Sequence, residues 1–208
     1  MTRKILDLDS DTFESGAMTL LTAAERLFAA HGLEAVSTRM IAKEAGHKNH
    51  SALQYHFGSR DGLIEAILNY RITPINQERL RRLDLLQHRG EVVTGRKLTE
   101  VFVRPFAEEL LKPADESIYV STLAQLYAYQ PGRELFQKNR DRNRAMFEIT
   151  SLMIKSLKPL PLPVIHLRLQ LMGRQTMTAI AEWDEARRCL LYTSPSPRDR
   201  TRSRMPSS

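Results

Sequence analysis

The residues best equipped for chemistry stand close together in the first third of the chain. Asn49, His50, Ser51, Gln54 and Tyr55 supply amide, imidazole and hydroxyl groups within a single short stretch. On a helix around His50–His56 they would share the solvent face, because residues three and four apart stack on one side. A row of neutral donors and acceptors suits base edges and phosphate oxygens. It does not suit covalent chemistry. No activated nucleophile, paired-carboxylate motif or glycine-rich phosphate loop occurs in the chain, so the protein is not expected to be an enzyme. His47, His50 and His56 lie near one another, but a loop followed by a short helix does not converge three imidazoles. Neither a metal nor a cofactor is therefore expected, and His56 reads as a packing or phosphate-side histidine.

A duplex groove only about 12 Å wide demands that a reading helix be held at a fixed angle. The flanking sequence has the parts for this. From Ala17, the residues Leu20, Ala24, Leu27, Phe28 and His31 recur at steps of three and four, and Gly32 supplies a stop. Ser37 is placed to cap a second helix over Thr38–Ala45, with Met40, Ile41 and Ala45 on its inner face and Gly46 after it. Ser59 caps a fourth helix carrying Leu63, Ile64, Ile67 and Leu68. Leu27, Phe28, Val36, Ile41, Ala45, Leu53 and Phe57 can then close one core, to which Met40 is also assigned. Small Ala42, Ala45, Gly46 and Ala52 allow the helices to approach. This is the pattern of a helix-turn-helix. Glu25, Arg26 and Lys43 read as solvated charges, and Arg79, Arg81 and Arg82 as an exposed basic face.

The segments AAERLFAAHG, VSTRMIAKEAG and SALQYHFGSRDGLIEAI, in that order over about fifty residues, resemble the tetracycline-repressor (TetR/AcrR) family of transcription regulators. The resemblance implies a sequence-specific DNA-binding regulator, a ligand-responsive repressor acting as a homodimer on near-palindromic operators. It implies that Thr38 and Arg39 contact backbone or bases, and that Lys48, Asn49 and His50 lead into the reading helix. It places Tyr55 against phosphate, and Arg60 against phosphate at the start of helix four. Free N–H groups and the helix dipole favour an anion at that last position. Two features depart from the family pattern. The chain is one residue longer between Gly46 and Phe57, within His47–His50, and Gln54 stands where many members carry tyrosine. A competing reading is a helical protein-interaction module that does not bind DNA.

The rest of the chain is read as all-α. Helical stretches fall around Leu98–Leu111, Glu116–Tyr129, Arg133–Leu157 and Pro163–Arg187, with Pro74 kinking or restarting helix four and His88–Arg96 as a loop. Phe102, Phe106, Tyr119, Leu123, Tyr127, Met146, Met153, Met177 and His166 could line a pocket for an unknown small-molecule effector. Arg104, His166, Arg168 and Arg174 could receive an anionic one. The expected layout is a flexible lead at 1–13, the helix-turn-helix domain at 14–71, and an effector-binding and dimerisation domain at 72–188. Residues 189–208 form a tail unlike the rest. That tail, CLLYTSPSPRDRTRSRMPSS, resembles a translated sequencing adapter, on which reading the natural protein is truncated near Arg188. It carries a net +3 of the chain's +7, so the remainder is only mildly basic at +4. Neither a secretion signal nor an apolar run of about eighteen residues is present, so the expected address is cytoplasmic, with no membrane partner. Cys189, the single cysteine, lies in the tail, which excludes an internal disulfide.

Overall fold

The computed structural model describes residues 15–47, 51–90, 92–113 and 116–193. Among these residues the fold is helical throughout, with no strand. The order is α1 (Ser15–His31), α2 (Thr38–Glu44), α3 (Ser51–Phe57), α4 (Arg60–His88), α5 (Gly95–Ala107), a 3-10 turn (Glu108–Leu111), α6 (Tyr119–Ala128), α7 (Gln130–Lys138), α8 (Arg144–Ser156) and α9 (Leu162–Thr193). No described helix is long and apolar enough to cross a membrane.

Side-chain caps start the helices that orient the N-terminal unit. The Ser37 hydroxyl accepts from the Met40 amide at 3.3 Å, and the Ser59 hydroxyl from the Gly62 amide at 3.0 Å. Leu20, Ala24 and Phe28 of α1 meet Ile41 of α2, Leu53 of α3, and Leu63, Ile64 and Ile67 of α4 in one buried cluster. That cluster does not stop at the third helix. It continues through Tyr119, Val120, Leu123 and Leu126 of α6 to Phe136 and Ile180. A second cluster joins Leu83 of α4 to Leu98, Val101 and Phe102 of α5 and to Ile149 and Met153 of α8. Helix α4 belongs to both clusters and crosses positions 71 and 72 without interruption. Pro74 lies within this one helix, which does not restart.

Several expectations are corrected. Glu25 is not a solvated charge: it is fully buried, and its carboxylate accepts two hydrogen bonds from Arg71 of α4, both at 2.7 Å. The Thr122 hydroxyl of α6 donates to the Glu25 carbonyl at 3.0 Å, so three helices meet at this point. Arg79 is also buried, whereas Arg81 and Arg82 pair with Glu78 one turn away. Met40 is 38% exposed, because the short α2 turns Ile41 and Ala42 inward instead.

The expected helix over Arg133–Leu157 is two helices. The Asn139 side chain accepts from the Arg142 amide at 2.9 Å. The Arg142 guanidinium then reaches back to the Leu135 and Phe136 carbonyls at the end of α7, and across to Asn69 and Glu65 of α4. A cation satisfying a helix's last carbonyls is a natural terminator. At the other end of the chain, α9 runs on to Thr193, beyond its expected end at Arg187 and into the segment read as a tail without helical periodicity.

Candidate nucleic-acid interface and enclosed cavity

Helix α2 ends at Glu44, and Gly46 takes a left-handed conformation (φ +75°) that turns the chain toward α3. On α3, Leu53 is buried and Phe57 half-buried against the core, which fixes the helix's rotation. Ser51, Gln54 and Tyr55, spaced three and four apart, consequently face solvent together, with Tyr55 79% exposed. The Tyr55 ring stands edge-on to His56 at 5.0 Å between centroids. From α2, Arg39 is exposed and Thr38 half-exposed at the helix start. Lys48, Asn49 and His50 lie outside the described residues.

The angle of α3 is set by a close approach to α4. A side chain at Gly62 would place its Cβ 2.0 Å from the Phe57 carbonyl oxygen, so only glycine permits this packing. Arg60 turns inward. Its guanidinium donates to the Leu33 carbonyl and lies over the Phe28 ring at 5.5 Å, tying the α1–α2 turn to the start of α4. His47 and His56 both lean on Gly16 in the first turn of α1. Among the described residues no group of three or more His, Cys, Asp or Glu side chains could hold a metal ion.

Beyond the interface, α4 forms one wall of a partly enclosed cavity of about 100 Å³. Of the residues picked from the sequence, Phe102, Phe106, Tyr127, Met146, Met153 and Met177 line it. Tyr119 and Leu123 do not: they are fully buried in the continuous core. His166 does not either, since it points to solvent from α9. Arg104, Arg168 and Arg174 are likewise exposed. The polar lining comes instead from Asn76 and Arg79 of α4, Asn143, Thr150 and Thr176. Burial pushes the Tyr127 hydroxyl's pKa up and the Arg79 guanidinium's down, to about 10. The charged neighbours of Arg79 in sequence disguise it as a surface residue. The register Ile72, Ile75, Arg79, Leu83 nevertheless puts it on the apolar stripe of α4.

Residues 20–67 match the family model described as bacterial regulatory proteins, tetR family. This N-terminal unit is thus similar to the helix-turn-helix segment of that family. The matched segment spans most of α1 through the first turns of α4, the part that carries the exposed edge of α3. A TetR family transcription regulator from Marinobacter aquaeolei shares the fold, with a TM-score of 0.51 and 21% identity over 89% of this chain and 88% of that one. The TetR family transcriptional regulator PfmR from Thermus thermophilus is a looser likeness, with a TM-score of 0.43 and 17% identity over 80% and 91%. No curated protein matches the chain significantly. The match covers the N-terminal unit alone, and the likeness to the solved structures is one of fold.

Proposed function

We propose that the protein is a ligand-responsive transcriptional repressor that binds near-palindromic operators as a homodimer. The observation that carries this reading is α4 itself. One helix packs the α3 reading head through Leu63, Ile64 and Ile67, and further along presents Ile72, Asn76 and Arg79 to the cavity. A molecule in the cavity therefore touches the element that sets the head's position. In this reading, Ser51, Gln54 and Tyr55, with Thr38, Arg39, Lys48, Asn49 and His50, meet bases and phosphates. Arg60, once it swings out from the Leu33 carbonyl, joins the amides at the start of α4 in holding a backbone phosphate. Residues 14–71 act as the DNA-binding unit and 72–188 as the effector and pairing unit, working in the cytoplasm where bacterial DNA lies.

Pairing two copies sets two reading heads about one DNA turn, roughly 34–36 Å, apart and doubles the phosphate contacts of a weakly charged chain. Leu162, Val164, Leu167 and Leu171 form an exposed apolar run on α9 that suits such pairing. Switching such a repressor from 1:99 to 99:1 requires about 5.5 kcal/mol of differential ligand affinity between its two states.

The test is operator selection from random DNA, followed by fluorescence anisotropy on the selected duplex at several salt concentrations. Affinity should fall steeply with salt. Tyr55→Ala should weaken binding about equally across sequences and leave the salt slope unchanged, while Gln54→Ala should cost about 1–3 kcal/mol at one base position and relax its specificity. Failure to enrich any sequence, together with salt-independent binding, would favour the protein-interaction module instead.

A further inference from the structure

The cavity's polar end contains a charge that no carboxylate among the described residues balances. Arg71 meets the Glu25 carboxylate, Arg142 that of Glu65, and Arg187 that of Asp184. Arg79 is as buried as Arg142 and more so than Arg71 or Arg187, yet among the described residues it pairs with no carboxylate. Its Nε donates to the Phe102 carbonyl at 2.9 Å and its Nη1 to the Asn76 side-chain oxygen at 2.8 Å. Both acceptors are neutral. The guanidinium also lies over the Phe102 ring at 4.8 Å, which attracts it but leaves its charge in place. Burial lowers its pKa only to about 10, so at neutral pH it remains a cation. A lone charge in an apolar interior is costly unless it finds a counter-charge.

The remaining nitrogen, Nη2, has no protein partner among the described residues, and Arg79 is part of the cavity lining. Asn76 cannot turn away, because its amide nitrogen is committed to the Arg142 carbonyl at 2.6 Å. It thus fixes the guanidinium in place. We infer that the cavity binds a small amphiphilic monocarboxylate, its carboxylate paired with Arg79 and its hydrocarbon part among the methionine and phenylalanine side chains. This inference rests on the regulator reading and names the class of its effector.

Three features favour this class over its rivals. A neutral ligand would leave the buried cation uncompensated. A phosphate ester brings more charge than one guanidinium can match. At about 100 Å³ the cavity is smaller than the ~150 Å³ that takes benzene, so a short aliphatic acid fits best and a single-ring acid enters only as the lining side chains repack. Met146, Met153, Met172 and Met177, all on the lining, are unbranched and can repack around either shape.

The test compares matched pairs on the full chain: hexanoate with hexanamide, and benzoate with benzamide, by calorimetric titration and thermal melting at fixed pH and ionic strength. The acids should bind at least about tenfold more tightly than their amides, because a site built for a charged group rejects the isostere lacking it. Arg79→Met should erase that preference while remaining folded by circular dichroism, and should melt no lower than wild type once the lone charge is gone. The acid–amide comparison on wild type needs no variant to fold. Equal binding of acid and amide, no binding of either acid at millimolar concentration, or unchanged acid binding by Arg79→Met would each overturn the assignment. Operator anisotropy is measured in parallel. DNA binding without acid binding would sink only this inference, whereas acid binding without DNA binding would sink the regulator reading.

Discussion

The Glu25–Arg71 pair links the first helix of the DNA-binding unit to the middle of α4, and its asymmetry makes a quantitative prediction. Glu25 has no exposed side-chain surface, whereas Arg71 retains 20%. Removing either partner strands the other, at about 3–5 kcal/mol for a buried pair. At this chain length each kcal/mol is worth about 2–4 °C, so the melting temperature should drop by roughly 6–20 °C. Arg71→Met should sit at the upper end, because the stranded carboxylate cannot reach water. Glu25→Gln should sit at the lower end, since the guanidinium can lean outward. Burial already holds the Glu25 carboxyl above its unfolded value of 4.5 despite the lowering by Arg71, and in Arg71→Met the loss of that cation lets it rise further. The folded state then binds the extra proton, so that variant should regain stability as pH falls from 7.5 toward 5.5. Glu25→Gln should show no such recovery. Replacing both residues with methionine removes both charges together and should return stability to within about 1 kcal/mol of wild type. Urea unfolding of the four proteins at two pH values measures all of this. If both single variants cost less than about 1 kcal/mol, or Arg71→Met proves the milder of the two, the account of this contact is wrong.

Two further outcomes follow from the geometry. Gly62→Ala puts a methyl group 2.0 Å from the Phe57 carbonyl. It should cost about 1–3 kcal/mol of stability as an overpacked contact, and should weaken operator binding beyond that by tilting α3. Operator anisotropy of the folded variant, checked by circular dichroism, reads the second effect. Hydrogen bonds from Arg81 and Arg82 hold the Glu78 carboxylate's pKa down at about 2. Its contribution should be complete above pH 4.5 and fade as pH falls toward 2. Because the group is largely solvated, Glu78→Gln should cost no more than about 1 kcal/mol at pH 7 in urea melts.

The local signals in the sequence and the long-range ones differ in legibility. Ser37 and Ser59 act through amides three residues away, so their capping roles can be read from neighbouring letters. The same is true of α3, where buried Leu53 alternates with exposed Gln54 and Tyr55 on a helical period. Glu25 misleads because its partner is 46 residues distant, and Arg142 because its partners on α4 lie more than 70 residues back. Those contacts exist only once α1, α4 and the α7–α8 turn are assembled. The cavity walls are partly legible as aromatic and methionine positions, whereas their polar residues hide among surface-like charges. Tyr119 and His166 show the converse error. An aromatic or imidazole on an amphipathic helix can sit in solid core or in solvent as readily as on a cavity wall.

Pro74 has no amide hydrogen to give to the Tyr70 carbonyl, so α4 lacks one rung of its ladder. Arg71, clamped to α1, lies within that gap, and Asn76, anchored to the α7–α8 turn, just beyond it. The helix is thus a rod pinned at and just past its weakest joint. A displacement at the far pin is taken up first as a bend at Tyr70–Pro74, and only the remainder reaches the first turns of α4 that pack against α3.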